Sequence, residues 1–348
     1  MSYQTPLLNR SRFNAQKFVL PTPDCQEAVL IVVNASFDFS NQDLLGLAEV
    51  QRPIVVADVP YGDPTHSSIR YESQLALEKP FVDVLVQGRV YAPGGRMAEE
   101  VQVGLRVGTL QKTLVASGDR FWKRGVLGLS PSSPRLFESM PLVYERAFGG
   151  ARETDVFMQN PVGVGYKGIG AGDQAITTDV PNIEYPHDRV TSPSSTVAPG
   201  GFGVIARSWF PRVRYAGTYD DAWLKTRWPL LPTDFDPRHN QSTSADQQLP
   251  FLFGGEPVVL VNLSEEGLVR FALPEDRLSA TFAYDRLRFT KDLRMDTVLI
   301  EPDEHVLTLT WRTHIVTRRT LGQLREIVVM PAVSAKETAG EVVVAEAQ

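Results

Sequence analysis

Alternation of apolar and polar residues over long parts of this chain is the feature that most restricts its fold. An apolar residue occupies every second position of VQVGLRVG (101–108) and of VDVLV (82–86). Side chains on a strand point alternately to its two faces, so this period of two predicts strands with one buried face. Several such runs separated by turn residues are typical of an antiparallel sandwich or barrel.

Other segments extend this prediction to both ends of the chain. Among the first 125 residues, NQDLLGLAEV (41–50) is a candidate for one short helix, and we expect further strands in EAVLIVVNASFDF (27–39), RPIVVADV (52–59) and SSIRYESQLAL (67–77). After FGGEP, the predicted strands are VVLVNL (258–263), LVRFALP (268–274), RLSATFAYD (277–285), DTVLIEP (296–302), HVLTLTWRT (305–313) and REIVVMPAV (325–333). NLSEEG and EPDE supply turns between them.

The middle of the chain has a different character. Between residues 126 and 250, Gly, Pro and Ser accumulate in LGLSPSSPRL, NPVGVGYKGIGAGD and TSPSSTVAPGGFG. Because disordered segments are normally poor in aromatic residues, the aromatics here indicate an ordered, irregular segment. We therefore predict a mainly β protein: a sandwich-like part over 1–125, an irregular segment over 126–250 packed on the β framework, a second antiparallel part over 251–330, and a frayed tail over 331–348.

Composition excludes several classes of protein. The 348 residues carry a formal net charge of -6 and are 43% apolar, which argues against disorder and against a general binder of nucleic acid or anionic membranes. The single cysteine, Cys25, cannot form an internal disulfide. The N-terminus has no apolar signal region, and AVLIVV (28–33) is too short to span a bilayer. We expect a cytoplasmic protein.

One glycine motif suggests a nucleotide site. GVGYKG (163–168) matches the dinucleotide-binding fingerprint, which requires a strand before it and a helix N-terminus after it. MQNP precedes the motif and IGAGDQ follows it, so neither element is predicted. A glycine-rich surface loop is the favoured interpretation.

No arrangement of residues indicates catalysis. DFDPRH (234–239) offers two carboxylates and an imidazole to a metal ion, but acids that cap turns and bind arginine are the favoured interpretation. The chain has no G-x-S-x-G elbow for a nucleophilic serine and no phosphate-loop GK[ST]. We predict no catalytic residue, no metal and no cofactor.

Large aromatic residues concentrate in AGTYDDAWLKTRWPLLPTDFDP (216–237), with a further tryptophan just upstream in ARSWFPRVRY. Prolines interrupt this stretch too often for a long helix or a regular strand. It can pin an irregular loop to the sheet, or it can form a recognition surface, where Trp, Tyr and Arg concentrate binding energy. For each tryptophan the core interpretation is favoured, and a rigid loop can serve both purposes. The candidate partner-binding residues are Trp209, Arg212, Arg214, Tyr219, Trp223 and Trp228.

Longer motifs resemble a known family. AGTYDDAWLKTRWPLLPTDFDPR, MPLVYERAFGG, NPVGVG, PNIEYP, GFGVIARSW and FLFGGEPVVLVNLSEEGLVRFALP look like the bacterial domain-of-unknown-function family 2169. SSIRYESQLAL, KPFVDVLVQGRVYAPGG and LRVGTLQKTLVASGDRFW resemble its N-terminal half. The resemblance spans about residues 27–312.

This resemblance implies a cytoplasmic adaptor, or chaperone, of the type VI secretion system. Such proteins are associated with a cargo effector, often one with a PAAR-type tip domain, and help to load it onto the VgrG spike, without catalysis or a cofactor. Two rivals stay open: an enzyme acting on a glycan or other polar substrate through DFDPRH, and a structural component of the secretion apparatus. A client segment could pair with a strand edge such as EVVVA (341–345) or enter an apolar groove beside the aromatic segment. The groove is favoured.

Overall fold

The chain is mainly β, with mostly antiparallel pairing, which confirms the predicted fold class. The computed structural model describes residues 5–42, 45–125, 128–152, 155–166, 179–317 and 321–332. The predicted tail therefore lies outside the described residues from position 333 onward, and so does EVVVA.

The strands are numbered in chain order. Up to residue 125 they are β1 Leu7–Asn9, β2 Asn14–Pro21, β3 Glu27–Asp38, β4 Gly46–Leu47, β5 Val59–Pro60, β6 Ile69–Tyr71, β7 Val82–Val86, β8 Arg89–Tyr91, β9 Glu100–Val107, β10 Leu110–Ser117 and β11 Arg120–Gly125. Between 126 and 250 they are β12 Gly128–Pro131, β13 Ser139–Pro141, β14 Phe148–Gly149, β15 Ala151–Arg152, β16 Asp155–Val156, β17 Val164–Gly165, β18 Asp179–Val180, β19 Ile183–Glu184 and β20 Gln248–Leu249. The last seven are β21 Pro257–Val261, β22 Leu268–Ala272, β23 Leu278–Tyr284, β24 Arg288–Asp292, β25 Arg294–Glu301, β26 Val306–Val316 and β27 Leu324–Pro331. Helix α1 is Asp221–Thr226, and 3₁₀ turns are Pro93–Gly95, Tyr144–Arg146, Arg212–Tyr215, Pro237–Asn240, Ala245–Gln247, Pro302–Glu304 and Leu321–Gln323.

A seven-stranded sheet joins the two ends of the chain. Its order is β2-β3-β26-β25-β7-β20, and β4 pairs with the end of β3. Strand β3 pairs with β26 along the whole length of β26, and β25 lies parallel to β7. Strands from before residue 125 and after residue 250 thus alternate within one sheet.

Two smaller sheets cover one face of this sheet. The five-stranded sheet has the order β19-β10-β9-β21-β22, and the four-stranded sheet has the order β1-β27-β23-β24. Apolar residues of all three sheets form one continuous core. Phe39, after β3, stacks on Phe271 of β22 with the ring centroids 4.8 Å apart, and Phe13 stacks on Trp311 of β26 at 6.0 Å. Burial of these rings and of the alternating valines is the main stabilising term.

The opposite face of the seven-stranded sheet is polar over much of its area. Val29, Ile31 and Val33 of β3 enter the main core, whereas Asn34 and Ser36 point to the other side and are also buried. We call this side of the sheet the polar face. It is covered by chain from both sides of β7, and polar groups such as Asn34 and Ser36 bond within the protein.

One buried carboxylate on β7 bonds to the segments that cover the polar face. Asp83 of β7 is fully buried and accepts bonds from the Lys79 ammonium at 2.7 Å and from the side chains of Gln241, Ser242 and Thr243 at 2.6–3.0 Å. Burial opposes ionisation, but the Lys79 charge and the donated bonds hold the pKa of Asp83 below its usual value. Asp83 is therefore one of the points at which the irregular middle segment is bonded to the sheet.

Two of the predicted strands are wrong over most of their length. In RPIVVADV and SSIRYESQLAL, pairing is limited to β5 with β6 and an isolated bridge between Ile69 and Val204. The remaining backbone lies over the polar face and bonds to side chains: Asn34 Nδ2 donates to the Pro53 carbonyl, and Val55 N donates to Gln74 Oε1. Side-chain amides thus replace the neighbouring strand that the alternating pattern suggested.

The predicted helix over 41–50 is also wrong within the described residues, which exclude positions 43 and 44. Gly46–Leu47 pairs with the end of β3, and Ala48 N donates to the Ser36 carbonyl. The Gln51 side chain bonds both N and O of Ser36. These bonds hold the segment extended along β3, which overrides its helical pattern.

Candidate partner-binding surface

The aromatic segment begins with residues that anchor it. The Trp209 ring is 5% exposed and packs edge-on against Tyr144, with the centroids 5.7 Å apart. Arg212 is 2% exposed, and its guanidinium donates to the carbonyls of Ile205 and His239. Both side chains belong to the interior, so they are not on the surface that a partner would meet.

A buried carboxylate joins Arg212 to segment 67–77, which lies over the polar face. Glu72, from SSIRYESQLAL, places Oε1 2.6 Å from Arg212 Nη1 and 3.1 Å from Arg207 Nε. Removing one member of such a cluster leaves an uncompensated buried charge, which typically costs about 3–5 kcal/mol. Two motifs that are distant in sequence are therefore one structural unit.

The outer part of the segment has the opposite character. Helix α1 is capped by Asp220, whose Oδ1 accepts from Trp223 N at 2.8 Å. Trp228 is 66% exposed, Leu224 57% and Tyr219 53%. Trp223 is half-buried; its ring meets Tyr219 edge-on at 4.6 Å, and its indole N–H donates to the Leu230 carbonyl. We call Tyr219, Trp223, Leu224 and Trp228 the aromatic surface.

Local bonds fix the loop that carries the aromatic surface. Gly217 has φ +83, and a Cβ there would lie 2.7 Å from Pro232, so this turn requires glycine. Asp234 accepts from both N and Oγ1 of Thr218, which closes the loop at its base. Arg227 donates to the carbonyls of Leu231 and Pro23. The exposed rings are therefore presented by a preformed structure.

The two arginines among the candidate partner-binding residues differ in exposure. Arg214 is exposed, with its guanidinium carbon 4.4 Å from the centroid of the Phe210 ring. Arg212 was predicted as a candidate partner-binding residue, but it is buried, because Glu72 and two carbonyls satisfy it in the interior. Of the six candidate residues, the structure leaves Arg214, Tyr219, Trp228 and part of Trp223 accessible.

A second pair of exposed aromatic residues was missed from the sequence. Phe251 and Phe253 are 58% and 59% exposed, with ring centroids 4.9 Å apart, and Arg277 lies over the Phe253 ring. Both lie between β20 and β21, in FLFGGEP. The adjoining Pro250 and Gly254–Gly255 are the signal that these apolar residues belong to a loop.

The DFDPRH segment distributes its side chains among separate partners. Asp234 bonds Thr218, and Asp236 bonds N and the guanidinium of Arg238; these bonds hold the pKa of both carboxyls below their usual range. Burial lowers the pKa of His239, whose Nδ1 lies 3.0 Å from the Arg212 carbonyl. In the described ranges no three His, Cys, Asp or Glu side chains are grouped to hold a metal ion.

The glycine motif at 163–168 is described only in part. Val164–Gly165 pairs in parallel with Phe148–Gly149, and Gly163 packs against Asn160. The helix that a dinucleotide site requires would begin among residues 167–178, which lie outside the described part. The interpretation as a surface loop stays a prediction.

Comparison with known proteins identifies a family. A family model with the description "Uncharacterized protein conserved in bacteria (DUF2169)" matches residues 24–312, which confirms the resemblance drawn from the motifs. No curated protein and no solved structure matches the chain. Across the described residues, no helix has the length and apolar character needed to cross a membrane.

Proposed function

We propose, from the premise that the chain belongs to the bacterial family DUF2169, that it is a non-catalytic adaptor of type VI secretion. In this proposal it holds a cargo effector, such as one with a PAAR-type domain, and assists its loading onto the VgrG spike. The observation that carries the proposal is the aromatic surface: large apolar side chains held out to solvent by a loop whose inner half is anchored. The motif resemblance implies only the class of client, a cargo effector.

Exposure of these side chains costs free energy that a partner can recover. Tyr219, Leu224 and Trp228 expose large apolar side chains on one short loop, and exposed apolar side chains that are grouped mark protein contacts. Trp, Tyr and Arg are enriched among residues that dominate binding energy. Because the loop is preformed, ordering it on binding costs little conformational entropy. Such a surface suits a protein that binds a client without modifying it.

The test is co-purification of the effector encoded beside this protein, followed by a secretion assay. Trp228→Ser removes an exposed ring, so we expect it to weaken client binding at least about tenfold. Arg214→Glu reverses an exposed charge and should also weaken client binding. Melting temperatures should stay within about two degrees, as for other surface substitutions. Leu136→Ser is the matched control, because Leu136 is 57% exposed and lies outside the aromatic surface.

Three outcomes would contradict the proposal. An effector that is stable and secreted in cells lacking this protein needs no adaptor. If neither Trp228→Ser nor Tyr219→Ser changes client binding, the aromatic surface is not the contact. Export of this protein together with the spike would favour the structural component instead.

A further inference from the structure

A cavity of about 210 Å³ lies on the polar face of the seven-stranded sheet. Its floor is formed by β3, β7, β25 and β26, and its roof by residues 52–55 and 70–74. Leu85, Val204 and Leu299 line it with apolar surface. Leu299 is in the middle of a central strand and is nevertheless only partly buried, whereas its neighbours Val298 and Ile300, on the core side, are fully buried. The cavity is large enough for a small molecule.

At one end of this cavity, Arg52 Nε and Gln87 Oε1 are buried without a hydrogen-bond partner. Glu301 Oε2 likewise has no hydrogen bond, and its contact with Arg52 Nη2 at 3.3 Å is an ion pair only. Gln87 and Glu301 are 6% and 2% exposed, so bulk water does not satisfy them. The other atoms of these groups are engaged: the Gln87 amide donates to the Arg70 carbonyl, and Glu301 Oε1 accepts from the Tyr71 hydroxyl at 2.5 Å. Unpartnered buried polar atoms require an explanation, and a bound molecule is one.

Formal charge at this end of the cavity is balanced. Arg52 and Arg70 face Glu301 and Glu304, with Arg52 Nη2 3.3 Å from Glu301 Oε2 and Arg70 Nη2 3.2 Å from Glu304 Oε1. The other charged lining groups are paired as well: Lys79 with Asp83, Glu72 with Arg207 and Arg212, and Arg312 with Asp296. A charged ligand would have to be buried without a free counter-ion, which is costly. The cavity therefore favours a neutral ligand.

We infer that this cavity binds a small neutral primary carboxamide with a short aliphatic or aromatic body. A primary carboxamide has two N–H donors and one carbonyl acceptor. The protein offers the complementary set, two acceptors on Gln87 and Glu301 and one donor on Arg52. The apolar body of the ligand would lie against Leu85, Val204 and Leu299. Nothing in the adaptor proposal requires this site.

The test uses 4-methylpentanamide and benzamide as probes of the full-length protein. Titration calorimetry and thermal shift should show saturable binding, with a dissociation constant on the order of 1 mM or tighter for a ligand of about eight heavy atoms. Two matched compounds define the group that is recognised. 4-Methylpentanoate has the same shape with a negative charge, and methyl 4-methylpentanoate is neutral without a donor. Both should bind at least about tenfold more weakly.

Substitutions locate the site. Gln87→Leu removes the unpartnered carbonyl at nearly constant volume and should weaken the binding of 4-methylpentanamide at least about tenfold. Leu299→Phe keeps all polar atoms but fills the cavity, so it should abolish binding even if Gln87→Leu fails to fold. Gln102→Leu is the control, because Gln102 is exposed on β9 of another sheet. The affinity of this variant for 4-methylpentanamide should match that of the unchanged protein.

Several results would overturn the inference. Absence of saturable binding of either amide would mean that the cavity holds only water. Equal affinity for the amide and the carboxylate would refute recognition of a neutral donor group. Binding that persists in Leu299→Phe would place the amide elsewhere on the protein. Each result leaves the adaptor proposal intact, because that is judged by effector binding and secretion.

Discussion

Lys112 is a fully buried lysine on β10. Its ammonium donates to Ser244 Oγ at 2.9 Å, Asp246 Oδ1 at 3.1 Å and Gln247 Oε1 at 2.7 Å. Burial lowers the pKa of Lys112 to about 8 from 10.5, against the opposing attraction of Asp246. The folded protein therefore releases this proton at a lower pH than the unfolded chain does.

This difference predicts how stability depends on pH. Between about pH 8 and 10.5 the unfolded chain binds more protons at Lys112 than the folded one, so the contribution of this group to the free energy of unfolding rises with pH. The full effect is roughly 3 kcal/mol. We expect the difference in unfolding free energy between the unchanged protein and Lys112→Met to grow in favour of the unchanged protein from pH 7.5 to 9.5. Urea unfolding at several pH values measures it, and a flat or falling difference would contradict the assignment.

The environment of single residues was the hardest property to predict from the sequence. Trp209 and Trp228 occur in similar Pro- and Arg-rich surroundings, yet one is 5% and the other 66% exposed. Arg212 and Arg214 differ in the same way, because the buried partner of Arg212 is Glu72, from a motif much earlier in the chain. Composition indicated an ordered aromatic segment. It could not assign its inner and outer sides, since these depend on contacts distant in sequence.

Strands were predicted well where their neighbours are other strands. HVLTLTWRT corresponds to β26, and VQVGLRVG to β9, because alternation there reports one face in the core. RPIVVADV and SSIRYESQLAL have comparable patterns but lie across the polar face. Their polar side chains bond across the polar face, and Asn34 and Gln74 satisfy backbone that would otherwise pair. Alternation reports a buried face and does not distinguish a strand from an extended cover.

Gln74 is the residue that makes the central bonds between the polar face and the segments over it, 52–59 and 67–77. Its amide nitrogen donates to Asn34 Oδ1 and Thr310 Oγ1, and its oxygen accepts from Val55 N and Asn34 Nδ2. Gln74→Leu leaves several of these buried groups unpaired, at about 1–3 kcal/mol each. We expect faster amide hydrogen exchange at Val55 and its neighbours, with β9 and β10 unchanged. Asn240→Leu, which removes one exposed bond to the Glu78 carbonyl, should have little effect. Unaltered exchange at Val55 in Gln74→Leu would show that packing alone holds the cover.

At the scale of the molecule, the sheets interleave the two ends of the chain. β3 and β7, from the first part, lie on either side of the β26–β25 pair, from the last part. In the five-stranded sheet, β9 likewise has β21 beside it. The sequence indicated β-rich ends and left open whether they pack as one unit. Pairing partners could not be predicted, because alternation specifies a strand's faces and not its neighbours.

This interleaving predicts that the first part cannot fold alone. A chain ending at residue 250 keeps β3, β7 and β9 but loses their partners β26, β25 and β21, so it exposes the inward side of β3 and β7 and three unpaired strand edges. We expect no cooperative melting and no near-ultraviolet circular dichroism, with binding of a hydrophobic dye as in collapsed but unpacked states. A chain ending at Ala332 keeps every described strand and should unfold in one transition, with coincident fluorescence and far-ultraviolet signals. Cooperative unfolding of the 1–250 chain, with dispersed amide resonances, would mean that its strands form a self-sufficient core and that the later strands only extend it.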